Sequence, residues 1–220
     1  ASAHDALAFL ASEPVDVVVL DIEMPGMNGI EIAEVLKAVS PQTIRILLSS
    51  IAVTRNAETE HLFHHTLTKP VRREQLAYAL SRLLSERPPE SQGATHRQIL
   101  KGKRILIVED DSINQAISRI TIEKFGGSSD TAPDGEAALA LVAQNDYAFV
   151  LLDIHLPDID GFDLAPKLLK IRPTLKLIAF TADITLIPEG RLKQVGIIDK
   201  LSKPATLTDF HDFLSKATWL

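Results

Sequence analysis

In the C-terminal half of the chain, short runs of branched apolar residues alternate with longer stretches whose apolar positions recur at helical spacing. Arg104-Ile105-Leu106-Ile107-Val108, Phe149-Val150-Leu151-Leu152 and Leu177-Ile178-Ala179-Phe180 are continuous apolar runs. Runs this short and this uninterrupted predict strands buried on both faces. Between them, Asp111/Ser112 opens a helical pattern that continues through Phe125 and stops at Gly126-Gly127. Asp134-Gly135 opens a second helix, with Ala137, Ala138, Leu141 and Val142 on one face, and Leu164 to Ile171 forms a third that Pro173 ends. Gly190 to Val195 predicts a fourth helix, Ile197-Ile198 and Leu201 a last strand, and Leu207 to Ala217 a closing helix. Strands alternating with helices imply βαβ units, hence an α/β fold with a parallel sheet covered on both faces.

The N-terminal half repeats this pattern. At an offset of 132 positions, Val19-Leu20-Asp21-Ile22-Glu23-Met24-Pro25 falls on Leu151-Leu152-Asp153-Ile154-His155-Leu156-Pro157 without a gap. Ala6-Leu7-Ala8 falls on Ala138-Leu139-Ala140, Gly29 on Gly161, Ala33 on Ala165, Leu36 on Leu168 and Pro41 on Pro173. Lys69-Pro70 matches Lys203-Pro204 with the offset drifted by two. A period this long indicates two copies of one domain, not a solenoid. Between the copies the periodicity lapses in a polar stretch containing Pro88-Pro89, Ser91 and Gly93, which reads as a linker. The expected division is a first domain at 1–84, a linker at 85–102 and a second domain at 103–220.

Composition narrows the function classes. The 220-residue chain carries a net charge of −6, with 7 basic against 10 acidic residues in 1–84 and 14 against 17 in 101–220. Neither copy has a basic patch, which argues against nucleic acid or an anionic membrane as partner. With no cysteine there is no disulfide framework, thiol catalysis or zinc–thiolate site. No apolar run reaches ~18 residues, so no membrane span is expected. The first ten residues lack a basic signal-peptide region. A cytoplasmic location is expected.

In open parallel sheets, function sits beyond the carboxyl ends of the strands. There the second copy places Glu109-Asp110, then Asp111, Asp153, Thr181 and Lys203-Pro204. Clustered carboxylates repel unless a cation neutralises them, and a hard cation with oxygen ligands, Mg²⁺ foremost, suits them. A nucleophilic carboxylate, a metal, an ammonium and a hydroxyl are the parts used in phosphoryl transfer, where catalysis is positioning and charge neutralisation.

These residues carry a family resemblance. Ile107-Val108-Glu109-Asp110, Leu152-Asp153-Ile154-His155-Leu156-Pro157-Asp158-Ile159-Asp160-Gly161, Phe180-Thr181-Ala182 and Leu201-Ser202-Lys203-Pro204 stand in the order and spacing of a receiver domain of bacterial two-component signalling, which residues 104–220 resemble. The resemblance implies a flavodoxin-like, doubly wound parallel sheet in each copy. It implies that Asp153 accepts a phosphoryl group from a phosphohistidine on a histidine kinase or phosphotransfer protein. It further implies Mg²⁺ held by Asp110, Asp153, Glu109 through water and the backbone carbonyl of His155. Thr181 would hydrogen-bond the phosphoryl oxygens and Lys203 would pair with the acyl phosphate. Lys203–Pro204 would be cis, and Gly161 would fill a turn needing a permissive backbone. Two positions depart from the family: Lys200 stands where an aromatic switch residue is usual, and Asp111 adds a carboxylate near the metal. Ser112-Ile113-Asn114-Gln115 resembles receivers at the end of hybrid sensor kinases.

The first copy resembles the same family over 1–84, with Asp21 at the phosphoacceptor position, Ser49 (or its neighbour Ser50) at the hydroxyl position and Lys69 as the lysine. Because Ala1 aligns with Pro133, the family's first strand, first helix and second strand have no counterpart in the chain, and neither has the acidic pair. Asp21 is therefore not expected to be phosphorylated efficiently in this chain. A longer parent protein is the favoured explanation and a degenerate receiver the alternative.

The preferred reading is a tandem receiver module that acts as a phosphorylation-controlled switch. Its parent would be a hybrid sensor kinase, or else a tandem-receiver regulator. Two competitors remain: a pseudo-receiver scaffold without chemistry, and an aspartyl-nucleophile phosphatase. The phosphatase needs an acid two residues after its nucleophile, where the second copy has His155. No ATP-binding kinase motif is present. Receiver–receiver contact or dimerisation is a further possible association. His61, His64 and His65 are read as a solvated helix face, Lys101-Gly102-Lys103-Arg104 as a solvated linker end, and Trp219 as a packing or fraying residue.

Overall fold

The computed structural model describes residues 9, 13, 15–22, 28–50, 59, 61–85, 98–182, 187 and 189–220. The motif segment 23–27, Ala6-Leu7-Ala8 and the Pro88-Pro89 stretch lie outside the described residues. The chain divides into two compact units, Ala1–Thr95 and His96–Leu220.

In the second unit, strands β4 (Arg104–Val108), β5 (Ser128–Ala132), β6 (Phe149–Asp153), β7 (Leu177–Thr181) and β8 (Ile197–Ser202) form one sheet in the order β5-β4-β6-β7-β8. Every pairing is parallel. This is the flavodoxin-like doubly wound order, whose direction of winding reverses between β4 and β6. Helices α3 (Ser112–Lys124), α4 (Gly135–Gln144), α5 (Gly161–Ile171), α6 (Glu189–Gln194) and α7 (Leu207–Lys216) connect and close the strands.

Alternation along each strand builds two cores. Leu106, Val108, Val150 and Leu152 pack with Ala138, Val142, Phe162, Leu164 and Leu168 on the α4–α5 side. Ile105, Ile107, Phe149 and Leu151 pack with Ile122, Phe210, Phe213 and Leu214 on the α3–α7 side. The two-residue period of a strand thus supplies both faces from one run. Trp219 joins the second core, 5.5 Å from the Phe149 ring and 5.8 Å from Phe213. Residues 98–102 form a turn whose Leu100 is buried in that same core and whose Leu100 amide donates to the Phe125 carbonyl at 3.0 Å.

Polarity along the chain gives no sign of β5. Its sequence, Ser128-Ser129-Asp130-Thr131-Ala132, has no apolar run, because it is an edge strand that buries only Ala132 fully. Its ladder with β4 and two side-chain ties secure it. Arg104 Nε lies 2.7 Å from Asp130 Oδ2, and the Tyr147 hydroxyl donates to the same oxygen at 2.7 Å.

In the first unit, β1 (Val17–Asp21), β2 (Ile44–Ser49) and β3 (His65–Thr68) form a parallel sheet in chain order, with helices α1 (Gly29–Val39) and α2 (Arg73–Ser85). These strands occupy the places of β6, β7 and β8. A capping box opens α1: Asn28 Oδ1 accepts from the amides of Ile30 and Glu31, and Glu31 Oε2 accepts from the Asn28 amide at 2.6 Å. Ile44, Ile46, Leu67 and Ala79 form a core beneath α2. Among the described residues β1 pairs only with β2, and Val19 is 43% exposed where the corresponding Leu151 is at 0%.

The three histidines do not share a helix face: His61 lies in a turn and His65 starts β3. His64 Nδ1 instead accepts the Arg45 amide at 3.0 Å. The buried Arg45 guanidinium reaches the carbonyls of Leu62 at 2.7 Å and Thr43 at 2.9 Å. Burial holds the His64 imidazole below its usual value, and the Arg45 charge adds to this.

Candidate functional site

The site forms at the carboxyl ends of β4, β6, β7 and β8. The β4 ladder runs one residue past the strand, where the Glu109 amide donates to the Ala132 carbonyl at 3.0 Å. Glu109 is buried and Asp110 exposed. β6 ends on the buried Asp153, and the carboxylates of Glu109, Asp110 and Asp153 lie within 4.8 Å of one another. Among the described residues, this is the one group of three or more such side chains close enough to hold an ion. It straddles the point where the winding reverses, because β4 and β6 are neighbours there.

Lys203 enters from the end of β8. Its amide donates to the Thr181 carbonyl at 2.8 Å, which extends the β7–β8 ladder beyond Ser202. Its ammonium lies 2.6 Å from Asp153 Oδ2 and 2.5 Å from Glu109 Oε2. The ammonium thus meets one oxygen of each buried carboxylate. The same ammonium sits 5.3 Å from the centre of the Phe180 ring, and the Lys203–Pro204 bond is cis. Burial pushes the Glu109 carboxyl above its usual value; Lys203 pulls it back and Asp153 adds to the rise.

Three carboxylates against one ammonium leave a local excess of negative charge on hard oxygen ligands. This donor set fits a divalent cation of the Mg²⁺ class. His155 contributes differently from the three acids. Its side chain is exposed and outside the cluster, and its backbone amide donates to Asp153 Oδ1 at 2.9 Å. Thr181 is buried at the end of β7, one residue beyond Phe180, which is in register with Asp153.

Two expectations are corrected by the local geometry. Asp111 is not a further carboxylate of the cluster but the N-cap of α3, accepting the Asn114 amide at 2.8 Å. Gly161 is required by contact and not by a left-handed turn, since its φ is not positive. It opens α5 behind the cap Asp160, and a Cβ there would lie 2.3 Å from the Asp153 carbonyl oxygen. Gly29 meets the Asp21 carbonyl at the same 2.3 Å in the first unit. Lys200, at the departed switch position, reaches the Ile187 carbonyl at 3.4 Å.

The first unit holds the counterpart residues together. Lys69 pairs with Asp21, and the Lys69–Pro70 bond is cis. The Lys69 amide donates to the Ser49 carbonyl at 2.9 Å, as Lys203 does to Thr181, and Ser49 Oγ donates to the Ser50 carbonyl at 3.0 Å. Among the described residues no acidic cluster forms at Asp21.

Two side chains without an assigned role in the sequence touch the site directly. Gln115 Nε2 donates to the Glu109 backbone carbonyl at 2.6 Å, and Asn114 Nδ2 donates to Glu109 Oε1 at 3.3 Å. Their only signal in the sequence is their place in the run that follows the acidic pair.

The model of the response regulator receiver domain family matches residues 1–81 and 105–215. The aerobic respiration control sensor protein ArcB of Escherichia coli K12 is 38% identical over 120 residues, 53% of this chain and 15% of that protein. The sensor histidine kinase RcsC of the same organism is 33% identical over 103 residues, 47% of this chain and 11% of that protein. The transcriptional regulatory protein TcrA of Mycobacterium tuberculosis is 34% identical, covering 50% of this chain and 44% of that protein. The chain therefore spans less than half the length of these relatives. Among solved structures, a CheY-like receiver domain protein from Methanospirillum hungatei is 29% identical with a TM-score of 0.48, covering 53% of this chain and 92% of that one. The receiver domain of the sensor histidine kinase PA1611 from Pseudomonas aeruginosa, with a magnesium ion in its active-site cleft, is 25% identical with a TM-score of 0.47, covering 52% and 95%.

Proposed function

The chain belongs to the response regulator receiver domain family of two-component signalling, and from that premise we propose that its second unit is an Mg²⁺-dependent phosphoacceptor switch with Asp153 as the acceptor. The observation that carries this reading is the meeting of Asp153 with two further carboxylates and the Lys203 ammonium at the switch point of the sheet.

The residues divide the work. An Asp153 carboxylate oxygen attacks the phosphorus of a phosphohistidine on a histidine kinase or phosphotransfer protein. The P–O bond forms as the P–N bond breaks, and the imidazole leaves with the electron pair. Asp110, Asp153, the His155 backbone carbonyl and, through water, Glu109 would hold Mg²⁺, which would neutralise charge on the phosphoryl oxygens. Lys203 already bridges Asp153 and Glu109, so its ammonium is placed to follow the charge onto the acyl phosphate. Thr181, fixed at the end of β7, is the hydroxyl for the phosphoryl group. We place the module in the cytoplasm, as part of a hybrid sensor kinase or of a tandem-receiver regulator. Among the described residues no helix is long and apolar enough to cross a membrane.

Intact mass spectrometry after incubation with a small phosphodonor and Mg²⁺ tests the assignment. One added phosphoryl group, lost in Asp153→Asn and in excess chelator but retained in Asp21→Asn, is the expected result. A second addition, lost in Asp21→Asn, contradicts the expectation that Asp21 is not phosphorylated efficiently in this chain. No addition to the unsubstituted chain overturns the phosphoacceptor reading of Asp153.

A further inference from the structure

We propose that Asn114 and Gln115 are positioning residues, a clamp built into the first turn of α3 that sets the acidic pair in metal-binding geometry before the ion arrives. The inference rests on the reading of Glu109, Asp110 and Asp153 as the Mg²⁺ site.

The backbone at the exit of β4 poses a specific problem. The Glu109 amide still belongs to the sheet, bonded to the Ala132 carbonyl at 3.0 Å, but the chain then turns away towards α3. The Glu109 carbonyl leaves the ladder at a buried position, where an unmet acceptor is costly. Gln115 meets it with a side-chain amide at 2.6 Å. Holding that carbonyl fixes the peptide plane between Glu109 and Asp110, and with it the direction in which Asp110 leaves the backbone.

The Glu109 side chain is held as well. Oε1 faces Asn114 Nδ2 at 3.3 Å and the Asp111 amide at 3.4 Å, while Oε2 faces Lys203 at 2.5 Å. One carboxylate oxygen is thereby turned to the helix and the other to the interior of the site. The clamp is itself anchored, because Asp111 caps α3 through the Asn114 amide at 2.8 Å and its carbonyl accepts the Gln115 amide at 3.0 Å. These backbone bonds hold the turn without help from the Asn114 and Gln115 side chains. The helix therefore survives their removal, and alanine is a better helix former than either residue.

The energetic consequence follows from where the cost of ordering is met. With the clamp, the ligands are ordered on folding; without it, they are ordered on metal binding, and affinity falls. Groups that orient metal ligands typically account for roughly 10–100-fold in affinity or activity. Once Mg²⁺ saturates the site, the assembled geometry is the same, so the extent of phosphorylation at Asp153 is unchanged.

The test is isothermal titration of the full chain with Mg²⁺, for the unsubstituted protein and for Asn114→Ala, Gln115→Ala and Gln115→Met. The last variant keeps the length of glutamine and removes the donor without adding charge. A roughly tenfold weaker Mg²⁺ affinity is expected for Gln115→Ala, with Gln115→Met similarly weakened. The metal-free thermal midpoint of Gln115→Ala should fall by only a few degrees, the cost of the unmet Glu109 carbonyl, with the chain fully folded at the titration temperature, and its phosphorylation should be restored at saturating Mg²⁺. Unchanged affinity in all three variants overturns the clamp, and so does a loss of affinity that only tracks a loss of folded protein. If the unsubstituted chain itself takes up no Mg²⁺, the metal reading fails instead, which separates the two failures.

Discussion

Replacing Gly161 by alanine sets two effects of opposite sign against each other. Its φ lies outside the left-handed region and it is the first residue of α5, so helix propensity and the entropy of the unfolded chain both favour alanine, by about 0.5–1 kcal/mol. Against this, the new Cβ would lie 2.3 Å from the Asp153 carbonyl oxygen, 2.8 Å from the Ile154 Cα and 3.1 Å from the Asp153 carbonyl carbon. All three neighbours are backbone, at the end of a fully buried strand, so no side chain can swing aside. Overpacking of this kind costs about 1–3 kcal/mol, and contact with fixed backbone belongs at the upper end. The net expectation is a loss of about 2 kcal/mol, which at roughly 4 °C per kcal/mol lowers the unfolding midpoint by about 8 °C. The assay is built into the molecule: Trp219 is the sole tryptophan and packs on Phe149 and Phe213, so its fluorescence reports the second unit alone. Gly190→Ala is the control. A Cβ at Gly190, within α6, meets nothing within 4 Å, so only the favourable terms remain and the midpoint should rise by a few degrees. An unchanged or raised midpoint for Gly161→Ala would refute the steric argument.

Two further outcomes follow from titratable groups away from the site. The His64 imidazole is held below its usual value of 6.5 by burial and by Arg45, so the folded state favours its neutral form. Its contribution to stability is then complete above pH ~6.5, declines as pH falls below that, and levels off beneath the folded value. NMR titration of His64, with amide exchange at Arg45, checks this: the Arg45 amide, bonded to His64 Nδ1, should lose protection as the ring protonates. Protection that persists in the protonated state would contradict it. Tyr147, pushed up to about 12 by burial and by its bond to Asp130, should give a late phenolate step in an ultraviolet titration, absent from Tyr147→Phe. That variant should lose about 1 kcal/mol of stability, as expected for one hydrogen bond, and an equal midpoint in urea would show the tie to be idle.

Much of the second unit can be read from its residues. β4, β6 and β7 are central strands, so burial on both faces writes them as unbroken apolar runs, and Asp111 and Asp134 mark helix starts by capping them, whereas α5 begins at Gly161 behind the cap Asp160, three residues ahead of the expected Leu164. Because acids at the ends of central strands project from one rim, the grouping of Glu109, Asp110 and Asp153 followed from strand ends alone. A residue whose role depends on a partner distant in the chain is not legible in this way. β5 is a strand because β4 lies beside it, although its own residues are polar. The histidine spacing at 61, 64 and 65 suggested a helix face, whereas the Arg45 amide draws His64 into a sheet edge.

The sequence by itself determined the alternation of strands and helices, the repeat of one domain and the residue types gathered at the strand ends. Periodicity, capping and strand polarity are local properties, expressed within a few residues of where they act. Only the tertiary structure decided what each rim residue faces. It set the Asp111 carboxylate outside the acidic cluster, placed Lys203 between Glu109 and Asp153, and brought Gln115 onto the Glu109 carbonyl. It also made the glycine at 161 a matter of close backbone approach. These outcomes depend on distances between chain segments, which are set when the sheet orders its strands and the helices close over them.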